Sequence, residues 1–302
     1  GESSAEFTIN PIMDHESESE EIVLSILDNP LVSSLPPEPL TLTLEDAAAV
    51  SIVTVRHAIV DDSISGRVKL SRTGDLGEPL TVELTFSGSA DNGDDYAPLP
   101  STQVFAAGVS EIFIDIEPST SEPSGTEPLI AWLSVTPDRT RYQVVEPGIA
   151  EVQFLTSADS VAPSFADWRG RYFPGDNRSD EELAAADADG NGLTNGFSYI
   201  LGQDPAIWAP LGDCLFSIRV VDDRLELVTY SLPGVLDPQL TIDQSQNLKD
   251  WIPAGTMFSP AASEASNGLI QRTFRSRDVL RDLPSESTFR FRLEFREQPS
   301  TP

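Results

Sequence analysis

Cysteine is almost missing from this 302-residue chain: Cys214 stands alone, so no intrachain disulfide can staple the fold. Lysine occurs only as Lys69 and Lys249, against 17 arginines, and histidine only as His15 and His57. Against 49 acids these few bases leave a net charge of −30. That balance excludes a nucleic-acid partner, because phosphate binding needs a basic face, and it disfavours an anionic membrane for the same reason. No apolar run approaches the ~20 residues of a membrane helix and no signal-peptide pattern opens the chain, so membrane insertion is not expected. There is no G-x-S-x-G elbow, phosphate loop, H-E-x-x-H or dinucleotide fingerprint, and Cys214 has no histidine near it in sequence. A catalytic role is therefore not expected.

What is present is acid and β pattern. Residues 1–160 carry 28 acids and 6 bases, whereas residues 161–302 carry 21 and 13. Excess carboxylates keep a protein soluble in salt or attract divalent cations. Alternating or β-branched runs recur at Glu21–Leu27, Leu40–Leu44, Val50–Val55, Arg67–Leu70, Leu80–Phe86, Glu111–Ile116, Leu129–Val135 and Ala150–Leu155, broken by Gly, Pro, Asp and Asn clusters. Short strands at this spacing predict a sandwich or barrel. Helix is predicted only between about 164 and 202, where Ser164 with Asp167, and Ser179 with Glu182, have the spacing of helix N-caps. Strand patterns resume at Leu215–Val221, Leu225–Tyr230, Leu240–Gln244, Leu269–Phe274 and Phe289–Phe295. The chain thus reads as mainly β. Its expected divisions are a partial sandwich (1–46), a complete sandwich (47–160), a helical linker (161–210) and a small C-terminal β domain (211–302).

The order strand, acidic loop, strand, Pro-containing loop, strand runs through Phe7–Asp46 and again through Ile112–Ser157. Around the second copy, Gly66–Arg72 with Thr73-Gly74-Asp75, Leu80–Phe86, Gly88–Tyr96 and Val104–Gly108 follow in a set order. Residues 50–157 resemble a Calx-beta domain, an immunoglobulin-like sandwich of sodium–calcium exchangers and bacterial surface proteins. The resemblance implies calcium sites built from loop carboxylates at one end. Asp61 and Asp95 match acidic positions of that pattern, but Ser119, Thr120, Thr156 and Ser157 stand where further aspartates are expected. Two carboxylates supply little of the 6–8 oxygen coordination that calcium takes. The incomplete copy keeps more acids: Asp14, Glu18 and Glu21 in its loop, Glu45 and Asp46 after its last strand. Its strands lack sheet partners in the sequence, so residues 1–46 are expected to fray, pack elsewhere, or pair with another chain.

Residues 187–198 carry a second calcium pattern. With Asp187 as position 1, oxygen side chains fall at 1, 3, 5 and 9 (Asp187, Asp189, Asn191, Asn195), Gly192 takes position 6, and Leu193 offers its carbonyl at 7. This is the ligand spacing of an EF-hand loop, and it resembles the loops of dockerins and thrombospondin type 3 repeats. Ser198 stands where a bidentate Glu is expected, and Asp180, Glu181 or Asp204 are candidates to replace it. With Phe165–Arg169, Tyr199–Pro205, Leu240–Trp251 and Phe289–Phe295, the stretch 163–297 resembles a C-terminal module of large secreted proteins of Verrucomicrobia and Planctomycetes.

The leading expectation is a non-catalytic structural or adhesive segment of a secreted or cell-surface protein, locally stabilised by calcium and self-associating through residues 1–46. A polysaccharide-binding module would instead show coplanar exposed rings among Trp132, Trp168, Trp208 and Trp251. A calcium sensor would need the full cluster of loop acids that the complete sandwich lacks.

Overall fold

The computed structural model describes residues 20–24, 40–44, 48–119, 128–138, 140–157, 161–207, 216–236, 238–266, 268–283 and 287–295. Residues Asp14, Glu18, Glu45, Asp46, Thr120, Trp208 and Cys214 lie outside them. The first described elements are β1 (Glu20–Leu24) and β2 (Leu40–Leu44), an antiparallel two-stranded sheet with Glu20 opposite Leu44.

The sandwich follows. One sheet has the order β10 (Tyr142–Val144), β3 (Ala48–Arg56), β5 (Gly66–Thr73), β8 (Glu111–Ile116). The other runs β4 (Ala58–Ile59), β11 (Ile149–Leu155), β9 (Leu129–Val135), β6 (Leu80–Gly88), β7 (Thr102–Phe105). Strand periodicity sends alternate residues inward. In β5, Gly66, Val68, Leu70 and Arg72 are buried while Arg67, Lys69 and Ser71 are not. Val50, Ile52, Val68, Leu70, Val82, Leu84, Leu133, Val152 and Phe154 fill the space between the sheets. Tyr96 stacks on Phe154 at 5.6 Å between ring centres.

Arg72 ends the inward row of β5 although it is charged. Its guanidinium donates to the carbonyls of Val109, Glu78 and Leu76 at 3.0–3.1 Å, so the buried charge closes the loops after β5 and before β8. This explains why the turn Thr73-Gly74-Asp75 directly follows an arginine. Tyr142 of β10, in the same sheet, reaches across to the other one, donating its hydroxyl to Thr136 O at 2.7 Å and accepting from Glu83 N–H of β6. β9 pairs antiparallel with β11, as β1 does with β2.

The remaining elements form a second β unit. Three helices precede its strands: α1 (Phe165–Tyr172), α2 (Asp180–Ala185) and α3 (Asn195–Ile200). Ser164 caps α1 by accepting from Asp167 N–H, and Ser179 with Glu182 forms a reciprocal capping box on α2. Each cap contributes about 1 kcal/mol. Strands β12 (Ser217–Val221), β13 (Arg224–Ser231), β17 (Leu269–Ser276) and β16 (Phe258–Ser266) make one sheet in that order. A smaller sheet has the order β15 (Ile252–Pro253), β14 (Gln239–Ser245), β18 (Thr288–Glu294). Phe165, Trp168, Leu183, Tyr199 and Ile200 pack with Phe216, Tyr230, Leu293 and Phe295, so helices and strands share a core. None of the helices among the described residues is long and apolar enough to cross a membrane.

Candidate functional site

Three places on the molecule gather polar groups. The first is the end of the sandwich where the calcium positions were expected. Asp61 N–H donates to Thr156 O at 3.0 Å, and Ser119 N–H donates to Asp95 O at 2.8 Å, so the fold does bring each acid beside the segment expected to complement it. Asp95 Oδ2 already accepts from Asp91 N–H at 2.8 Å. Burial, then the nearby Asp91 and Asp95 charges, push the Tyr96 phenol up to about 12. Among the described residues no three His, Cys, Asp or Glu side chains are arranged to hold a metal. Two carboxylates amid Ser119, Thr156 and Ser157 do not fit calcium at this end.

The second place is the Asp187–Asn195 loop between α2 and α3. Asp187 accepts from Gly190 and Gly192 N–H, both at 2.8 Å, one on each carboxylate oxygen. Those bonds, Gly192 first, hold its carboxyl below the usual range. Gly190 and Gly192 have φ of +72° and +90°, which favours glycine at both turns. Asp189 Oδ1 accepts from Asn191 N–H, and Asn191 Oδ1 accepts from Leu193 N–H. Asn195 behaves differently. It is 1% exposed, accepts from Ala188 N–H and donates Nδ2–H to Leu183 O, so it clamps the loop onto α2. Asp180 is ion-paired with Arg169, and Asp204 accepts from Ala206 N–H. Neither is held towards the loop as a replacement for the missing twelfth-position Glu.

The third place was not expected from the sequence and lies between the two β units. Glu151 of β11 faces away from the sandwich core and meets Arg272 of β17 in a two-bond pair: Nε to Oε2 at 2.5 Å and Nη2 to Oε1 at 2.6 Å. Their side chains are only 18% and 11% exposed. Trp132 Nε1–H donates to Glu151 Oε2 at 3.0 Å, and Gln153 Nε2–H to Oε1 at 2.9 Å. Arg272 Nη1–H donates to Ser231 Oγ at 2.9 Å. Gln153 Oε1 accepts from Gly234 N–H at 2.7 Å, and Glu146 Oε1 accepts from Thr256 N–H at 2.5 Å, adding two more links between the units. Gly234 has φ +77°, and a Cβ there would stand 2.8 Å from Val161 Cα, so the close approach requires glycine. Ile130, Trp132 and Ile270 form a small apolar core at this contact.

The burial of these charges is electrostatically balanced. Burial opposes ionisation of Glu151, yet the Arg272 charge and bonds, the Trp132 bond and His57 hold its carboxyl at about 2. His57, the one histidine among the described residues, is 7% exposed and its Nδ1 accepts from Gln153 N–H at 3.2 Å. Burial pulls its imidazole down to about 4, against the opposing pull of Glu151 and the Val235 carbonyl. It is therefore neutral at pH 7, with the proton on Nε2. Beside this network lies a cavity of about 200 Å³ lined by residues of both units, among them His57, Trp132, Glu146, Thr229, Phe258 and Phe274.

The tryptophans do not form an exposed platform among the described residues. Trp132 and Trp168 are buried, and the Arg290 guanidinium covers the Trp251 ring at 4.3 Å.

The motif order, the two-sheet topology and the inward rows define the first unit as an immunoglobulin-like sandwich of Calx-beta class. Residues 45–158 match the family model of the Calx-beta domain, so this segment of the chain is a Calx-beta domain. Similar solved structures include the apo-form Calx CBD1 domain (19% identity, 37% of this chain and 99% of that one, TM-score 0.32). CBD12 from CALX1.2 is also similar (14% identity, 83% and 76% covered, TM-score 0.31). So is calcium binding domain CBD12 of CALX1.1 (13% identity, 74% and 75% covered, TM-score 0.30). No curated protein matches the chain.

Proposed function

We propose that this chain is a non-catalytic structural segment of a secreted or cell-surface protein, in which a Calx-beta sandwich and a C-terminal β unit are locked into one rigid body. The observation that carries this reading is the buried Glu151–Arg272 pair, which joins strands of the two units and is itself tied down by Trp132, Gln153 and Ser231. A segment that only tethered its neighbours would need no such junction. Domain contacts within a chain are ordinarily polar and mobile. The resemblance of 163–297 to C-terminal modules of secreted proteins, together with the −30 charge, supports an exterior, adhesive setting.

Self-association belongs to the same reading. Among the described residues the β1–β2 sheet has no third strand, whereas its counterpart β9–β11 is flanked by β6 and β4. The edge of a two-stranded sheet is a template for a strand from another copy. Size-exclusion chromatography with light and X-ray scattering tests both parts. The expected result is a mass above one chain at high concentration, falling on dilution, and a scattering curve that fits a single rigid arrangement of residues 48–295. A clean monomer at high concentration removes the self-association. A curve that requires a range of inter-unit angles removes the rigid body.

Calcium enters this reading at the 187–195 loop, where Asp187, Asp189, Asn191 and the Leu193 carbonyl are the proposed ligands. The existing turn favours it, since the loop amides already orient Asp187 and Asp189. The absent Glu at position 12 keeps affinity low, on the order of 0.1–1 mM as in extracellular modules. Isothermal titration is expected to give one weak calcium site that Asp187→Ala abolishes. No calcium heat in the unaltered chain, or the same heat in the variant, contradicts the assignment.

A further inference from the structure

The cavity between the two units is more than a packing gap. Thr229 lines it, is 1% exposed, and its Oγ1 has no hydrogen-bond partner. Buried polar atoms are nearly always satisfied, so an unsatisfied hydroxyl on a residue lining a cavity points to a missing occupant.

The charges around the cavity indicate what kind. Arg272 is spent on Glu151, Ser231 and the Ile270 carbonyl, and His57 is neutral. Glu146 is the group left over. It accepts one hydrogen bond, from Thr256 N–H, and no lysine or arginine among the described residues forms an ion pair with it. Burial and the nearby Asp243 and Glu294 push its carboxyl up, as expected of a carboxylate without a counter-ion. The lining therefore holds one carboxyl group with no cationic side chain paired to it among the described residues. An anion finds no free cationic donor here, and calcium would find one available carboxylate where it needs several oxygens. The same lining includes the aromatic and aliphatic side chains of Trp132, Phe258, Phe274 and Ile242. A carboxylate facing aromatic rings in a partly desolvated site is the chemistry that holds an organic cation.

We propose that this cavity is a binding site for a small organic monocation, an amine or quaternary ammonium group, with Glu146 as its counter-ion, the rings of Trp132, Phe258 and Phe274 as its walls and the Thr229 hydroxyl as an added polar contact. The volume of about 200 Å³ suits a single-ring amine, since a cavity of about 150 Å³ accepts benzene. This inference stands apart from the structural role of the chain and does not depend on it.

Benzylamine and benzyl alcohol, similar in shape and differing in charge at neutral pH, are suitable probes for the full chain, followed by amide chemical shifts. The expected result is that benzylamine shifts the resonances of cavity residues and binds about tenfold more tightly than benzyl alcohol, a difference of about 1.4 kcal/mol. Glu146→Gln should remove that preference while leaving the alcohol unchanged. Equal binding of the two probes, or no shift at cavity residues up to the solubility limit of the amine, overturns the proposal. The comparison on the unaltered protein decides the matter even where the variant fails to fold. Retention of the full preference by a folded Glu146→Gln protein would also overturn it.

Discussion

Replacing Arg272 with methionine is expected to destabilise the protein by about 3–5 kcal/mol and to split its unfolding into two transitions. The magnitude follows from what the substitution leaves behind. Methionine fills much of the arginine volume, so packing changes little, but Glu151 becomes an unpaired carboxylate at 18% exposure. Breaking a buried pair by removing one partner costs that much because the desolvation of the survivor is no longer offset. Glu151 cannot relieve itself by turning to water, because Trp132 and Gln153 hold both of its oxygens. The split follows from location: the pair spans the two units, whereas each unit keeps its own core. Urea unfolding followed by tryptophan fluorescence reads both effects. A variant as stable as the parent, unfolding in one step, would show the pair to be incidental.

A second large effect is expected on acidification, in two steps with the same sign. The His57 imidazole sits at about 4 in the folded protein against 6.5 when exposed. A depressed histidine binds its proton less readily when folded, so its contribution is complete above about pH 6.5 and is lost as pH falls towards 4. Glu151 lies at about 2 when folded against 4.5 unfolded, so its contribution is lost between about 4.5 and 2. Each corresponds to roughly 3 kcal/mol at most. The two are not independent, since the Glu151 charge favours protonated His57. Because many other carboxylates titrate in the same range, the informative quantity is the difference from variants. His57→Asn retains an acceptor for Gln153 N–H and is expected to flatten the loss between pH 6.5 and 4. Glu151→Gln should flatten the loss below 4.5. Urea midpoints measured from pH 7 to pH 3 test this, and parallel curves for parent and variants would contradict it.

Much of the fold is legible in the residue pattern, and the exceptions have physical causes. The alternation in β5 and β8 is plain because one face of each strand meets the core. Strand β16 hides because Phe258–Ser266 is rich in Ser and Ala and contains Pro260. The proline falls at the register shift against β17, on the sheet edge where a missing N–H is tolerated. The short strands β4, β7, β10 and β15 are too brief to show a period.

The two candidate sites differ in the same way. The spacing Asp187, Asp189, Asn191 is local and so can be read directly, but the inward role of Asn195 depends on α2 packing against it. The Glu151–Arg272 pair joins residues 121 apart, and no local rule reaches that far. One signal did exist. In β9 the run Ile130-Ala131-Trp132-Leu133 is buried on both faces, as a strand must be when something covers the outside of its sheet. Ile130 and Trp132 are the residues that meet Ile270 across the junction.

The coupling between Glu151 and Arg272 tests the rigid-junction account most directly. It is obtained from four unfolding curves: the parent chain, Glu151→Gln, Arg272→Met and the double variant. A junction held by this pair predicts a coupling energy of about 3 kcal/mol, with the double variant more stable than either single change would imply. A coupling energy below about 0.5 kcal/mol, the range of independent sites, would contradict it.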